Sequence, residues 1–269
     1  MRKLVAMWVG ELGWELLGFQ GFVRAMSRDY DHTTVISRPG REVLYDDFCD
    51  EFIEYIPDTN ETRYSKCKDV LPEGYYDQFE YDTLIPAQTN LINWSPTKGF
   101  WGKNKIVKDY EQEFIKYGED VAMFGYDILV HARATNKLGS GTRNWGIDNW
   151  QELVDRLSKD YRIASIGATG ASLHLLGTND MRDIELRDLC GLMHESSLVI
   201  GGSSRPMHLA ALCDTSLISW GAALNKPRYE RDWNPHNTKV MFHGDDGWKP
   251  KVKTVEKLVK DYFVSLSNY

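Results

Sequence analysis

The sequence predicts an α/β protein made of two doubly wound domains. Three observations carry that prediction. Short apolar runs alternate with amphipathic helical stretches along the chain, a near-continuous apolar strand pattern restarts in mid-chain at YDILVHA, and the later strand SLVIGG ends in a glycine-rich turn that opens a helix. With 269 residues, length alone allows one large domain or two small ones. The restart places a boundary near residues 117–124 and gives each half enough chain for its own core.

Taken in order, KLVAMWV reads as the first strand. Two cations precede it, but Glu11 ends the apolar run at once and no small-residue cleavage site follows, so it is read as a strand and not as a signal peptide. WELLGFQGFVRAM has helical spacing, TTVISRP is a second strand, REVLYDDFCDEF carries a helical pattern, and YDTLIPA is strand-like. Residues 59–74 and 93–105 are polar and rich in Trp, Pro, Gly and Lys, a composition suited to loops bordering a cleft. A helix is expected over residues 105–116, ahead of Gly118. The second half reads strand DILVHA, helix IDNWQELVDRLSK, strand RIASIGA, helix DIELRDLCGLMHES, strand SLVIGG, helix RPMHLAALC and strand TSLISWG. Past Gly221, the polar segment NKPRYERDWNPHN leads to a strand KVMFH and a last amphipathic helix over about residues 254–266.

Composition narrows the function. Hydrophobic residues make up 42% and charged residues 26%, and no window approaches eighteen consecutive apolar residues, so a soluble, cytoplasmic protein with no transmembrane segment is expected. A formal net charge of −7 opposes generic binding to nucleic acid or to anionic membranes. Lys98, Lys103, Lys105 and Lys108 are a candidate local basic patch or simple solvated charge. Cys49, Cys67, Cys190 and Cys213 form no CxxC pair and read as reduced, structural thiols. His, Cys and Asp never cluster at ligand spacing, and HGDDG reads as a solvated loop, so no metal is expected.

The chemistry concentrates in SLVIGGSSRPMHLAAL. An apolar strand ends in Gly201 and Gly202, Ser203 and Ser204 follow, and Pro206 suits a first helical turn. Glycines allow close backbone approach, serine hydroxyls donate or cap, and free N–H groups with the helix dipole favour an anion, to which Arg205 adds a movable cation. The competing reading is an ordinary strand-to-helix turn capped by Ser203 or Ser204 with nothing bound. Arg133, Lys137 and Arg143 converge beside glycines at a strand's carboxyl end, where ligands bind in open α/β sheets. Trp94, Trp101, Trp145, Tyr75 and Tyr76 offer faces for stacking on a sugar or base, or side chains for the core, with Trp94 and Trp101 the acceptor-side candidates because they lie in polar loops.

GGSSRPMHLAAL resembles the Gly-Gly-Asp-Ser-Gly-Pro-Met-His stretch and Ala-rich helix of the heptosyltransferase-type (ADP-heptose:LPS heptosyltransferase-like) GT-B glycosyltransferases. Upstream, that family has a strand ending near His, then Lys-x-Trp-Pro and a second Trp on a helix. Here His131, Arg143-Asn144-Trp145-Gly146 and Trp150 follow the same order, with RIASIGATG as the glycine-rich turn between. The resemblance covers about residues 127–221. It implies that Arg143 neutralises a phosphate, that Ser203, Ser204 and Arg205 meet the diphosphate with His208 beneath the loop, and that Gly167, Thr169 and Gly202 border the nucleoside. Ser203 departs from an expected Asp, Arg205 from a Gly, and Ala171 stands near the place of a nucleotide-binding Glu, which leaves base and sugar open. The stretch HARATNKLGSG is similar to the His-x-Arg segment of GDP-fucose-dependent fucosyltransferases, which makes Arg133 a phosphate ligand as well.

In the N-terminal half, VGELGWELLGFQGF follows the first strand as an acidic loop does in the resembling family, whose acid deprotonates the acceptor hydroxyl. Glu11 and Glu15 both fit, and one of them is expected to be only a first-turn helix acid. The resemblance thus implies a GT-B fold, two Rossmann-like domains facing across a cleft. On that resemblance, residues 1–120 are expected to form the acceptor domain, 121–250 the donor domain, and 251–269 a helix crossing back to the first. It implies a hexosyl- or heptosyl-type glycosyltransferase that moves a sugar from a nucleotide diphosphate sugar to the hydroxyl of a glycan or other acceptor, inverting and without metal or other cofactor. The rivals are a sugar-nucleotide 2-epimerase and a non-catalytic nucleotide-sugar- or glycan-binding module.

Overall fold

The structure, a computed structural model, describes residues 1–58, 71–87, 110–135 and 141–267, with the backbone of 94–95 and 99–100. The chain divides into two compact units, Met1–Ile115 and Lys116–Tyr269.

The first unit contains β1 (Lys3–Trp8), α1 (Leu12–Gly18), α2 (Gln20–Ser27), β2 (His32–Ser37), β3 (Glu51–Glu54), β4 (Thr83–Ile85) and the short pair β5 (Trp94–Ser95) and β6 (Gly99–Phe100). Its main sheet runs β3-β2-β1-β4, so the unit's third, second, first and fourth strands lie side by side, all parallel. β1 is central, and its unbroken apolar run is buried from Leu4 to Trp8, as a strand covered on both faces requires.

Three expectations in this unit are corrected. The single helix read in WELLGFQGFVRAM is two, because Phe19 leaves helical geometry (φ −135°, ψ −64°) to bury its ring 5.2 Å from that of Trp8. REVLYDDFCDEF forms only a 3-10 turn at Glu42–Leu44 before β3. Its carboxylates act at long range instead: Asp47 accepts from Arg24 Nε at 2.7 Å and Asp50 from the Thr33 amide at 2.8 Å, which ties the segment to α2 and β2. Of the helix expected over 105–116, residues 110–116 are described and are not helical. Their polar groups are satisfied across α2, the Glu113 amide donating to Gly21 O at 2.9 Å and the Glu113 carbonyl accepting from Arg24 at 3.0 Å.

The second unit contains β7 (Ile128–His131), α3 (Ile147–Leu157), β8 (Ile163–Gly167), β9 (Asn179–Arg182), α4 (Leu186–His194), β10 (Leu198–Gly202), α5 (Arg205–Leu212), β11 (Leu217–Trp220), β12 (Val240–His243) and α6 (Val252–Leu266). The sheet order is β12-β11-β10-β7-β8-β9, all parallel. Read from β9, these are the unit's third, second, first, fourth, fifth and sixth strands, the Rossmann order, with its switch point between β7 and β10. β9 escapes sequence reading because the edge strand NDMR is polar and half exposed. So does a π-helical turn at Arg228–Asp232. α6 places Val252, Val255, Val259 and Tyr262 in the core of the second unit. There Glu256 meets Arg156 of α3 at 3.1 Å and the Tyr262 hydroxyl donates to Ser197 O at 2.6 Å.

Candidate functional site

At the switch point, β7 delivers His131 and Arg133 while β10 runs through Gly201 and Gly202 into Ser203, Ser204 and α5. Ser204 is the N-cap residue of α5, yet its side chain makes no cap bond, and Pro206 occupies the first turn as expected. The Ser204 hydroxyl instead hydrogen-bonds His131 Nδ1 at 3.0 Å, and Ser203 Oγ accepts from the Tyr229 hydroxyl at 2.8 Å. The capping reading of the two serines therefore fails, since both hydroxyls are held by side chains from other elements. A Cβ on Gly201 would lie 2.9 Å from Met207 Cε, the end of a flexible buried side chain, which would have to shift to admit it. Gly202 is buried, and a Cβ on it would make only ordinary contact with Trp220 at 3.5 Å.

Three arginines gather here. Arg133 donates to Asn144 Oδ1 at 2.6 Å, and the Arg143 guanidinium lies 5.5 Å from the centre of the Trp248 ring. Burial, then the charges of Arg143 and Arg205, push Arg133 down to about 10. The loop 141–146 is tied to the segment before α6, since Lys249 donates to Asn144 O and Trp145 Nε1 to Pro250 O at 2.7 Å. Burial is also the main cause that takes His131 down to about 4, with Arg133 and Arg205 adding to it, so the imidazole is neutral near pH 7.

Gly167 stands at φ +118°, and a Cβ there would lie 2.8 Å from His131 Cδ2 and 2.6 Å from Ser172 Oγ. It is a glycine because the His131 ring packs against it. Thr169 is exposed, with its amide donating to Asp183 at 2.9 Å. His208 is only 9% exposed, stacked 4.8 Å from the Tyr229 ring, and pushed by burial down to about 3. Its Nε2 lies 3.4 Å from the Tyr229 hydroxyl, which in turn bonds Ser203 of the loop. Trp145 is a core residue, buried with Trp150 and Trp220 at ring separations of 5.0 Å to each. The Trp94 side chain, Trp101, Lys137 and the lysines of 98–108 lie outside the described residues.

In the first unit the two candidate carboxylates separate. Glu11 is half-exposed in the turn after β1 and is the N-cap residue of α1, with no side-chain cap bond. Glu15 is fully buried, accepts from Ser37 Oγ at 2.5 Å and from Tyr45 OH at 2.7 Å, and pairs with Arg41. Burial pushes its carboxyl above the ordinary value, while Arg41, Ser37 and Tyr45 pull the other way. The turn before Glu11 is fixed by Arg38 donating to Val9 O at 2.7 Å and by Trp8 Nε1 donating to Glu11 O at 3.2 Å. Sequence reading missed Arg41 and Tyr229, because each acts through contacts 26 residues from its partner. Among the described residues no three His, Cys, Asp or Glu side chains come together as metal ligands, and no helix is long and apolar enough to cross a membrane.

Two parallel Rossmann-ordered units define the fold class: the architecture is that of the GT-B glycosyltransferases. Among solved structures, the chain is similar to ADP-heptose LPS heptosyltransferase II of E. coli, at 12% identity and TM-score 0.62 over 99% of this chain and 100% of that one. It is also similar to a glycosyltransferase family 9 protein of Veillonella parvula, at 11% identity and TM-score 0.60, covering 98% and 97% of the two chains. A third similar structure is the dodecameric iron-containing heptosyltransferase TibC of enterotoxigenic E. coli, in complex with ADP-D-beta-D-heptose, at 15% identity and TM-score 0.58 over 100% of this chain and 79% of that one. No family model matches the sequence. No curated protein matches it either.

Proposed function

We propose that the chain is a glycosyltransferase that takes a sugar from a nucleotide diphosphate donor and passes it to an acceptor hydroxyl, without metal and with inversion. The observation that carries this reading is the cluster at the second unit's switch point. Burial, and then the nearby charges of Arg143 and Arg205, lower the proton affinity of Arg133, beside a helix preceded by two serines. Like charges held together in a partly buried place are stabilised by an anion, and switch points of Rossmann sheets are where nucleotides bind. The GT-B architecture of the heptosyltransferases fits the same donor class.

In this reading Arg133, Arg143, Arg205 and the start of α5 stabilise the charge that grows on the departing diphosphate, and this is their main catalytic contribution. Glu11 takes the acceptor proton as general base. Glu15 does not, because its oxygens are already occupied by Ser37, Tyr45 and Arg41. A site that works without a cofactor, an acceptor of the glycan class and a cytoplasmic place of action belong to the same proposal.

Thermal melts with ADP-, GDP-, UDP- and dTDP-sugars, each with and without magnesium, test it. One donor at about 100 times its Kd adds about 2.7 kcal/mol of stability, a rise of several degrees in Tm. Arg143→Ala abolishes that rise. No rise with any donor at millimolar concentration overturns the reading. Product analysis separates the rivals: a transferase releases nucleoside diphosphate, an epimerase returns a new nucleotide sugar, and a binding module does neither.

A further inference from the structure

The two serines of the loop are held in different ways. The Ser203 amide donates to Trp220 O at 2.8 Å, so it continues the sheet and is not available to a ligand. The hydroxyl is the remaining donor of that residue, and the side chain is half-exposed. From beneath, the Tyr229 phenol donates to Ser203 Oγ at 2.8 Å.

Tyr229 can hold that bond with little freedom. The residue is 2% exposed and sits in the π-helical turn Arg228–Asp232. Its ring stacks between His208, at 4.8 Å and 22°, and Phe242, at 5.2 Å and 27°. His208 Nε2 lies 3.4 Å from the same phenol oxygen. Burial pushes Tyr229 up to about 12 and His208 down to about 3, so across the ordinary pH range the phenol keeps its proton and the imidazole stays neutral. A serine hydroxyl has one hydrogen and two lone pairs. Once a buried phenol occupies a lone pair from below, the hydrogen turns to the open side.

We propose that Tyr229 is a positioning residue: its phenol, donating to Ser203 Oγ from beneath the loop, orients the Ser203 hydroxyl as a hydrogen-bond donor to a phosphate of the bound nucleotide. The inference rests on the reading of this loop as a diphosphate site. It assigns the single π-helical turn of the described residues a role, in keeping with the frequent placement of such turns at functional sites.

Titration calorimetry on the full chain with ADP, GDP, UDP and dTDP tests both levels. Binding of one of these by the wild type, lost in Arg143→Ala, reports the site itself; if none binds, the diphosphate reading fails and this inference with it. With the tightest of the four, Tyr229→Phe, which keeps both ring stacks, weakens binding about tenfold, the worth of one hydrogen bond to a charged acceptor. In a Ser203→Ala background the same change costs less than about twofold, because its effect passes through the serine hydroxyl. Ser203→Thr keeps the hydroxyl and restores sensitivity to Tyr229→Phe. If Tyr229→Phe binds like the wild type while Arg143→Ala does not, or if its loss is as large without the Ser203 hydroxyl, Tyr229 is not a positioning residue and the inference falls alone.

Discussion

Glu11 and Glu15 are one helical turn apart, and their surroundings assign them different work. Glu15 is 0% exposed with Arg41, Ser37 and Tyr45 on its oxygens, whereas Glu11 stands half-exposed at the end of β1. Breaking a buried pair by removing one partner leaves an uncompensated charge. Arg41→Met is therefore expected to lower unfolding free energy by about 3–5 kcal/mol, read by urea denaturation. Glu11→Gln is expected to leave stability within about 0.5 kcal/mol of wild type. It is expected to reduce turnover of the donor by about 100-fold or more with donor affinity unchanged, as removal of a general base does. Equal turnover in wild type and Glu11→Gln would remove Glu11 from the mechanism and leave the diphosphate site standing.

The site depends on how three strand ends meet. β7 presents His131, β8 ends in Gly167, and β10 opens into the loop before α5, with the His131 ring packed on Gly167 and bonded to Ser204 at 3.0 Å. Gly167→Ala adds a Cβ 2.8 Å from His131 Cδ2 at a φ of +118°, a region that side-chain-bearing residues rarely adopt. The expected cost is about 2–3 kcal/mol of stability, together with weaker nucleotide binding because the His131–Ser204 contact is displaced. Gly202→Ala is the control. Its Cβ makes ordinary contact, so a much smaller loss is expected, and equal losses for the two variants in thermal melts would refute the account of Gly167.

For the whole molecule, His131 and His208 tie stability to pH. Their folded-state values, about 4 and about 3, lie below the ordinary 6.5, so from pH 6.5 downward the unfolded chain binds protons that the folded chain refuses. Their contribution is fully present above pH 6.5 and is lost as pH falls toward those values, at up to about 1.4 kcal/mol per pH unit for each imidazole. Urea midpoints measured from pH 7 to pH 5 are expected to fall in the wild type and to fall less steeply in His131→Gln and His208→Gln. Parallel pH slopes in all three would show that these imidazoles do not govern the acid limb.

The sequence by itself determined the α/β class, the central strands and the loop before α5. Those features are local: KLVAMWV and SLVIGG are apolar runs long enough to be buried on both faces, and Gly-Gly-Ser-Ser with Pro206 marks a helix start through backbone chemistry alone. The resemblance of GGSSRPMHLAAL extended that reading to the GT-B architecture, in agreement with the two Rossmann-ordered units. What tertiary structure alone decided was the partner of each polar group. That Trp145 is core, that Glu15 is consumed by Arg41, that the serines are held by His131 and Tyr229 instead of capping α5, and that 110–116 is not helical and bonds to α2 through Glu113 all follow from contacts between distant segments. Periodicity reports which face of a segment is apolar, but a buried polar atom takes whichever partner packing brings to it, and that partner is set by the folded chain as a whole.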